Sequence, residues 1–245
     1  MNKRFISTLL ITFFFALPAQ ATPLVADLSN YRIAMDAGFN GERLFLFGAR
    51  NDNGDIVVVI RGPQKNFLMR KKESIGGIWV NSDRMKFFNV PDFYAMASSK
   101  PLSDIEQSGL FKRLGIGEDN ILTVPTDAKS QAAFPEFSQA FLNHQYARKL
   151  YTKDAGSVSF MGETLFKTTL EFPDDIPPGN YTAEIYLISD GEVVGMQSTP
   201  ITVIKTGLDA FLYGSAHKYP ALYGISAILL ALSAGWTAGK LFERT

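Results

Sequence analysis

The sequence predicts a mainly β protein: an immunoglobulin-like antiparallel β-sandwich ectodomain with a helical insertion, followed by one C-terminal transmembrane helix. Three observations carry this. Short alternating or β-branched runs recur between turn signals on both sides of a central segment. Residues 102–152 lose that alternation and carry helix signals instead. Residues 219–239 contain no charged side chain, and Lys218 and Lys240 close them on either side. At a rise of about 1.5 Å per residue this stretch spans roughly 30 Å, one hydrocarbon core.

The ends of the chain set the expected topology. Lys3 and Arg4 precede an apolar run, Phe5 to Leu17, too short to cross a bilayer, and Ala19-Gln20-Ala21 follows as a small-x-small site. This is the pattern of a secretory signal peptide, 1–21, cut after Ala21, with an uncleaved anchor as the competing reading. Residues 22–218 then form a periplasmic domain, 219–239 a stop-transfer helix and 240–245 a cytoplasmic tail. Lys240 and Arg244 agree with the positive-inside tendency, although His217 and Lys218 weaken the contrast. Trp236, Tyr219 and Tyr223 lie near the ends of the span, where amphipathic aromatics favour the interface. The expected location is a bacterial inner membrane, single-pass, with the lipid bilayer as one partner.

Composition removes several function classes. The chain has no cysteine, so thiol catalysis, disulfide exchange and Cys-ligated zinc are excluded, and an exported domain must rely on its apolar core. Lysine plus arginine and aspartate plus glutamate both number 24, leaving no basic excess that would suggest nucleic acid.

The strands read in order as follows. Arg32 to Asp36 alternates, Arg43 to Gly48 follows Gly41, and Asn51-Asp52-Asn53-Gly54 reads as a hairpin turn. Asp55 to Arg61 is apolar on both faces, which predicts a central strand. Phe67 to Lys71, Gly77 to Asn81 and Phe93 to Ala97 continue the pattern. In the insertion, Ser103 and Glu106 form a capping box for a short helix ending at Gly115. A second helix is expected from Pro135, favoured at the first helical position, to about Tyr151. Its wheel shows two apolar stripes: Phe137, Ala140, Phe141, His144, Arg148 and Tyr151 on one face, Leu142, Tyr146 and Leu150 opposite. Strands resume with Leu165 to Phe172, Tyr181 to Ile188, a turn at Asp190-Gly191, Val193 to Met196 and Thr199 to Ile204. One sandwich built from both halves is favoured over two β domains, because residues 157–205 offer too few strands for a separate core.

Asp27-Leu28-Ser29, Phe39-Asn40-Gly41, Leu46-Phe47-Gly48-Ala49, Val59-Ile60-Arg61-Gly62-Pro63, Gly77-Ile78-Trp79-Val80-Asn81 and Val90-Pro91-Asp92-Phe93-Tyr94 occur in this order. This series resembles the putative transmembrane protein family of Alphaproteobacteria, over most of the chain and including the terminal span. The resemblance implies an inner-membrane protein with a periplasmic domain, and an association with sulfite-exporter-like permeases. It supplies no catalytic residues.

Chemistry-bearing residues are few. His144 and His217 are the only histidines, which argues against histidine-paired metal sites; His144 reads as a packing histidine on an apolar helical face. No G-x-S-x-G elbow or phosphate loop is present. The scattered methionines lack the Met-x-Met spacing of copper sites and read as core fillers. The most suggestive patch is Arg61 with Arg70, Lys71, Lys72, Trp79 and Asn81, a candidate contact for an oxyanion or an acidic partner if the strands bring them to one sheet end. Its structural counterpart is a lysine-protected edge strand. In the span, Ala227, Ala231, Gly235 and Gly239 recur every four residues, a candidate helix–helix contact in the membrane. The expected function is a non-enzymatic, cofactor-free, membrane-anchored interaction or accessory module for another inner-membrane protein. The alternative is a periplasmic binding domain for a small oxyanion or metal ion.

Overall fold

Strands from the two sides of the helical insertion pair with one another. The computed structural model describes residues 23–242; the expected signal peptide at 1–21 and residues 243–245 lie outside them. One sheet is fully antiparallel. Its order is β1 (Leu24–Leu28), β3 (Glu42–Arg50), β10 (Leu165–Phe172), β9 (Ser159–Met161). The second runs β2 (Arg32–Met35), β12 (Glu192–Lys205), β11 (Gly179–Ser189), β4 (Asp55–Arg61), β7 (Tyr94–Ser98), β8 (Gly156–Ser157), parallel only at β2–β12 and β7–β8. The remaining pair, β5 (Gln64–Ile75) and β6 (Ile78–Pro91), forms a long separate hairpin.

This is the strand order of an immunoglobulin-type sandwich, with a hairpin and a helical segment inserted on either side of β7. Its tyrosine corner is present. The Tyr181 hydroxyl donates to the Pro177 carbonyl at 2.5 Å, fixing the crossing from β10 to β11. Two residues further, where disulfide-bearing immunoglobulin domains carry their second cysteine, stands the fully buried Ala183. Packing substitutes for the missing cross-link: Phe93 stacks on Phe172 at 5.4 Å, and Tyr181 meets Phe93 edge-on at 5.6 Å.

Local sequence explains the elements. Ile56 to Ile60 are β-branched throughout and wholly buried, and β4 lies between β11 and β7 as its two-faced apolarity demands. In β10, Phe166, Thr168, Leu170 and Phe172 face inward, while Leu165, Lys167, Thr169 and Glu171 face out. Asp190-Gly191 closes the β11–β12 hairpin, as read from the sequence. Asn51–Gly54 does not make a hairpin. β3 and β4 belong to different sheets, so this turn carries the chain across the sandwich. Strand β6 also continues past Asn81 to Pro91, where the sequence reading stopped.

The insertion is helical but is built differently from its expectation. The capping box is absent. The first segment is α1 (Leu102–Ile105), preceded by Pro101, then α2 (Leu110–Leu114), with the Ser103 hydroxyl turned to Asp104. Gly115 does end α2, in the left-handed conformation. The long helix, α3, runs Ala128–Ala147, capped by Asp127, whose side chain accepts from the Ser130 N–H at 2.9 Å. Pro135 therefore sits inside the helix rather than at its start. Only one stripe is buried: Phe137, Phe141, Leu142 and Gln145, while Ala140 and His144 are exposed. The wheel failed because the chain leaves the helix before Lys149, at φ +57°, so Leu150 and Tyr151 enter the core from a new direction.

After β12, a helix unforeseen in the sequence, α4 (Leu208–Lys218), leads to a break at Tyr219 and then to α5 (Pro220–Phe242). Within α5, Pro220–Lys240 is long and apolar enough to cross a membrane, and its most apolar window holds no buried residue.

The sandwich is closed along one seam by a side chain. Gln197 of β12 accepts from the Ala26 N–H at 2.7 Å and donates to the Ala26 carbonyl at 2.5 Å, standing in for a paired strand between the two sheets. Gln197→Met keeps the bulk and removes both bonds. It should lower the unfolding free energy by about 1–3 kcal/mol, read as a lower urea midpoint for the full-length protein in detergent. An unchanged midpoint would show that water replaces the amide.

Candidate functional site

Six residues formed the sequence-derived patch, and the structure separates one from the other five. Arg61 ends β4 and is four-fifths buried. Its guanidinium pairs with Glu184 and donates to the carbonyls of Leu114 and Gly115 at 2.8 and 3.0 Å, across the end of α2. Glu184 also accepts from the Tyr186 hydroxyl at 2.8 Å. These donors are directed at protein acceptors, and a cation at a helix C-terminus is favoured by the helix dipole. Arg61 thus fastens the helical insertion to the sheet.

The other five lie on the hairpin of β5 and β6. Lys72 stands opposite Asn81, Ser74 opposite Trp79 and Arg70 opposite Arg84. From Gln64 at the base, Arg70 is about 20 Å along the strand. Lys71 is engaged: its ammonium lies 2.7 Å from Glu136 of α3 and 3.6 Å from Glu73, which raises its pKa, chiefly through the Glu136 hydrogen bond.

This hairpin is an arm braced at its base and bare at its tip. Near the base, Phe141 of α3 meets Phe67 at 5.1 Å and Phe87 at 5.3 Å, and Phe134 meets Phe87 at 6.1 Å. Each such ring buried contributes about 1.5–3 kcal/mol. The cover ends with the Lys129–Asp83 pair at 3.7 Å. A groove of about 600 Å³ between arm and helix is lined by Arg70, Arg84, Lys129 and Ser130 among others. Beyond it, about 15 Å of hairpin projects. The turn is Gly76-Gly77, both at positive φ, +60° and +84°, which two glycines adopt without strain. Around it Ile75, Ile78 and Trp79 are 65%, 69% and 70% exposed. Sequence reading singled out Trp79 and missed Ile75 and Ile78. The signal was there in two apolar residues flanking a Gly-Gly turn.

Asp92 stands at the arm's base, where its backbone N–H donates to the Pro63 carbonyl at 3.0 Å. Its side chain is almost fully buried, with Lys65 Nζ 2.5 Å from Oδ2 and no hydrogen-bond partner on Oδ1. Burial raises the Asp92 pKa despite Lys65, which pulls it down. The Tyr151 hydroxyl donates to the Pro91 carbonyl at 2.5 Å, and burial pushes that phenol's pKa up.

A second surface lies on the outer face of the β1-β3-β10-β9 sheet. Phe45 and Phe47 alternate with the buried Leu44 and Leu46 and are 55% and 47% exposed. Strand registry sets Val25, Ala49, Leu165 and Met161 in one row beside Phe47. The run Leu44-Phe45-Leu46-Phe47 announced a strand apolar on both faces, although in the sequence it read only as a strand. Among the described residues, no three His, Cys, Asp or Glu side chains converge. In α5, Ala227, Ala231, Gly235 and Gly239 line one side, all exposed.

Fold and surfaces together define a membrane protein: a β-sandwich carrying a braced arm, joined through α4 to one candidate span among the described residues. The family described as "Putative transmembrane protein (Alph_Pro_TM)" matches residues 23–244, sandwich and span together. The chain belongs to that family. No curated protein matches it significantly.

Two outcomes are expected. Arg61→Ala should destabilise the protein by about 2–3 kcal/mol, from hydrogen bonds made by a charged group. Faster amide exchange in Leu110–Gly115 than in β11 would locate the loss; uniform exchange would deny Arg61 its fastening role. For Asp92, a folded pKa above the unfolded one means the native state holds the extra proton. Its contribution therefore weakens stability as pH rises from the unfolded value, 3.8, through the raised folded one. Asp92→Asn should be at least as stable as wild type at neutral pH, the gap closing on acidification in urea titrations. A variant clearly weaker at neutral pH would mean that the Lys65 pair outweighs desolvation.

Proposed function

We propose that the protein is a non-enzymatic accessory module of the bacterial inner membrane. Its sandwich lies on the periplasmic side, its C-terminus in the cytoplasm, and it binds another inner-membrane protein, a sulfite-exporter-like permease being the class the family resemblance suggests. The observation that carries the reading is the outer face of the β1-β3-β10-β9 sheet. Exposed aromatic and aliphatic side chains set in a polar frame, here Asp27 and Lys167 beside Phe47 and Thr169 beside Phe45, mark interaction surfaces. Phe45 and Phe47 supply aromatic anchors of the type that dominate interface energetics. The occupant is a membrane protein because the span confines this face to the membrane's own neighbourhood. The ladder Ala227, Ala231, Gly235 and Gly239 would let the span pack closely against a helix of the same partner.

The test is site-directed photocrosslinking. A photoreactive residue at Phe47 should capture one integral membrane protein in intact cells, and a probe at the solvent-facing Glu192 should not. Phe45→Ser with Phe47→Ser should abolish capture while leaving the unfolding free energy within about 1 kcal/mol of wild type, as expected for exposed positions. Capture of a second copy of this chain, or of nothing, would overturn the reading.

A further inference from the structure

We infer that the tip of the β5–β6 arm inserts into the interfacial layer of an anionic phospholipid bilayer, giving the sandwich a second membrane contact besides its span. The inference requires the span but not the protein partner proposed above.

Strand polarity supplies the first support. β4 and β12 both run antiparallel to β11, so they are parallel to each other and end at the same end of their sheet. β4 leads through Gly62-Pro63 into the arm, and β12 leads through Thr206-Gly207 into α4 and the candidate span. The arm and the span therefore leave the sandwich from one end.

The second support is side-chain chemistry. Ile75, Ile78, Trp79 and Val80 are exposed at the turn, and a Cβ built at Gly76 or Gly77 meets no other atom within 4 Å. Tryptophan beside aliphatic residues suits the headgroup boundary. Behind this cap stand the cations. Of the arm's six cations, Lys65 at its base pairs with Asp92 and Lys71 with Glu136 of α3, which leaves Arg70, Lys72, Arg84 and Lys86 beside Glu73 and Asp83, in a chain whose formal charge is zero. Glu73 lies within reach of Lys71, and Asp83 of Lys129. Lys72, Arg70, Arg84 and Lys86 are exposed. An apolar tip followed by a basic collar matches a surface of acyl chains beneath anionic headgroups. A protein groove would suit the apolar tip but would need an acidic rim to match the collar, whereas an anionic bilayer presents both layers at once.

The experiment uses the full-length chain reconstituted in vesicles. Trp79 and Trp236 are the two tryptophans, so a Trp236→Phe background leaves Trp79 as the reporter. In vesicles of phosphatidylglycerol and phosphatidylcholine, Trp79 emission should shift blue and be quenched by lipids brominated high on the acyl chain. In phosphatidylcholine alone the quenching should fall sharply. Lys72→Gln should weaken insertion about fivefold, from about 1 kcal/mol per basic residue at an anionic surface, and high salt should do the same. Ile78→Asp should abolish it without altering the urea midpoint. Water-like emission with no quenching in the anionic vesicles would overturn the inference. So would burial of Trp79 that appears only when other membrane proteins are co-reconstituted, since the tip would then be a protein contact.

Discussion

The polarity of one strand governs the layout of this protein. β11 sits between β12 and β4 and opposes both, so the chain must leave the sheet twice at the same end. One exit becomes the arm and the other the candidate span. No side chain could reverse this without re-pairing the sheet, which would break the hydrogen-bond ladders of β11 to β12 and to β4 together. Ile185 and Leu187 of β11 are fully buried, and so are Val57 to Ile60 beside them, which makes that rearrangement prohibitively costly.

Around this strand, the parts that carry surface features are each fastened by polar contacts at the edge of the core. Arg61 ties the helical insertion to Glu184 on β11 itself. Helix α3, held in that insertion, then braces the arm through Phe134 and Phe141. The Tyr94 hydroxyl, which accepts from the Gly117 N–H at 3.0 Å, adds a second fastening beneath the same segment. A cation that looked like an exposed anion receptor in the sequence is a fastening in the fold. Its neighbours in sequence, thrown outward by a long hairpin, remain open to solvent.

What was legible in the sequence follows from the range of the physics involved. The buried strand Ile56–Ile60, the alternating β10, the Asp190-Gly191 turn and the uncharged span are set by neighbours in sequence, and each stands where it was read. Strand partners other than the β11–β12 hairpin were not legible. Asn51–Gly54 has hairpin chemistry, yet the chain uses it to cross between sheets, because Greek-key connection is decided by what β3 and β4 bury, not by the turn. The start of α3 was misplaced because Pro135 is a strong local signal. Asp127 and the aromatic contacts of Phe134 outweigh the one carbonyl bond that Pro135 forfeits. At the candidate site, grouping Arg70, Lys71, Lys72, Trp79 and Asn81 was possible from hairpin alternation. Excluding Arg61 was not, since its partners Glu184 and Leu114 are 123 and 53 residues away in sequence.

Two exits at one end also change what affinity the arm requires. A tip of three or four apolar side chains with a few lysines would bind a bilayer only weakly from free solution. Joined to the candidate span through Thr206, Gly207 and α4, it would be held at high effective concentration beside the surface, so that binding would become an intramolecular equilibrium. A modest preference for the interface is then enough to hold the tip down most of the time. The orientational consequence is larger than the energetic one. A sandwich on a single tether can roll about it, and the Phe45–Phe47 face would sample every direction. With the arm seated as well, rotation is confined to the line joining the two contacts. The apolar sheet face would then be presented to neighbours in the membrane at a restricted set of angles, lowering the orientational cost of docking.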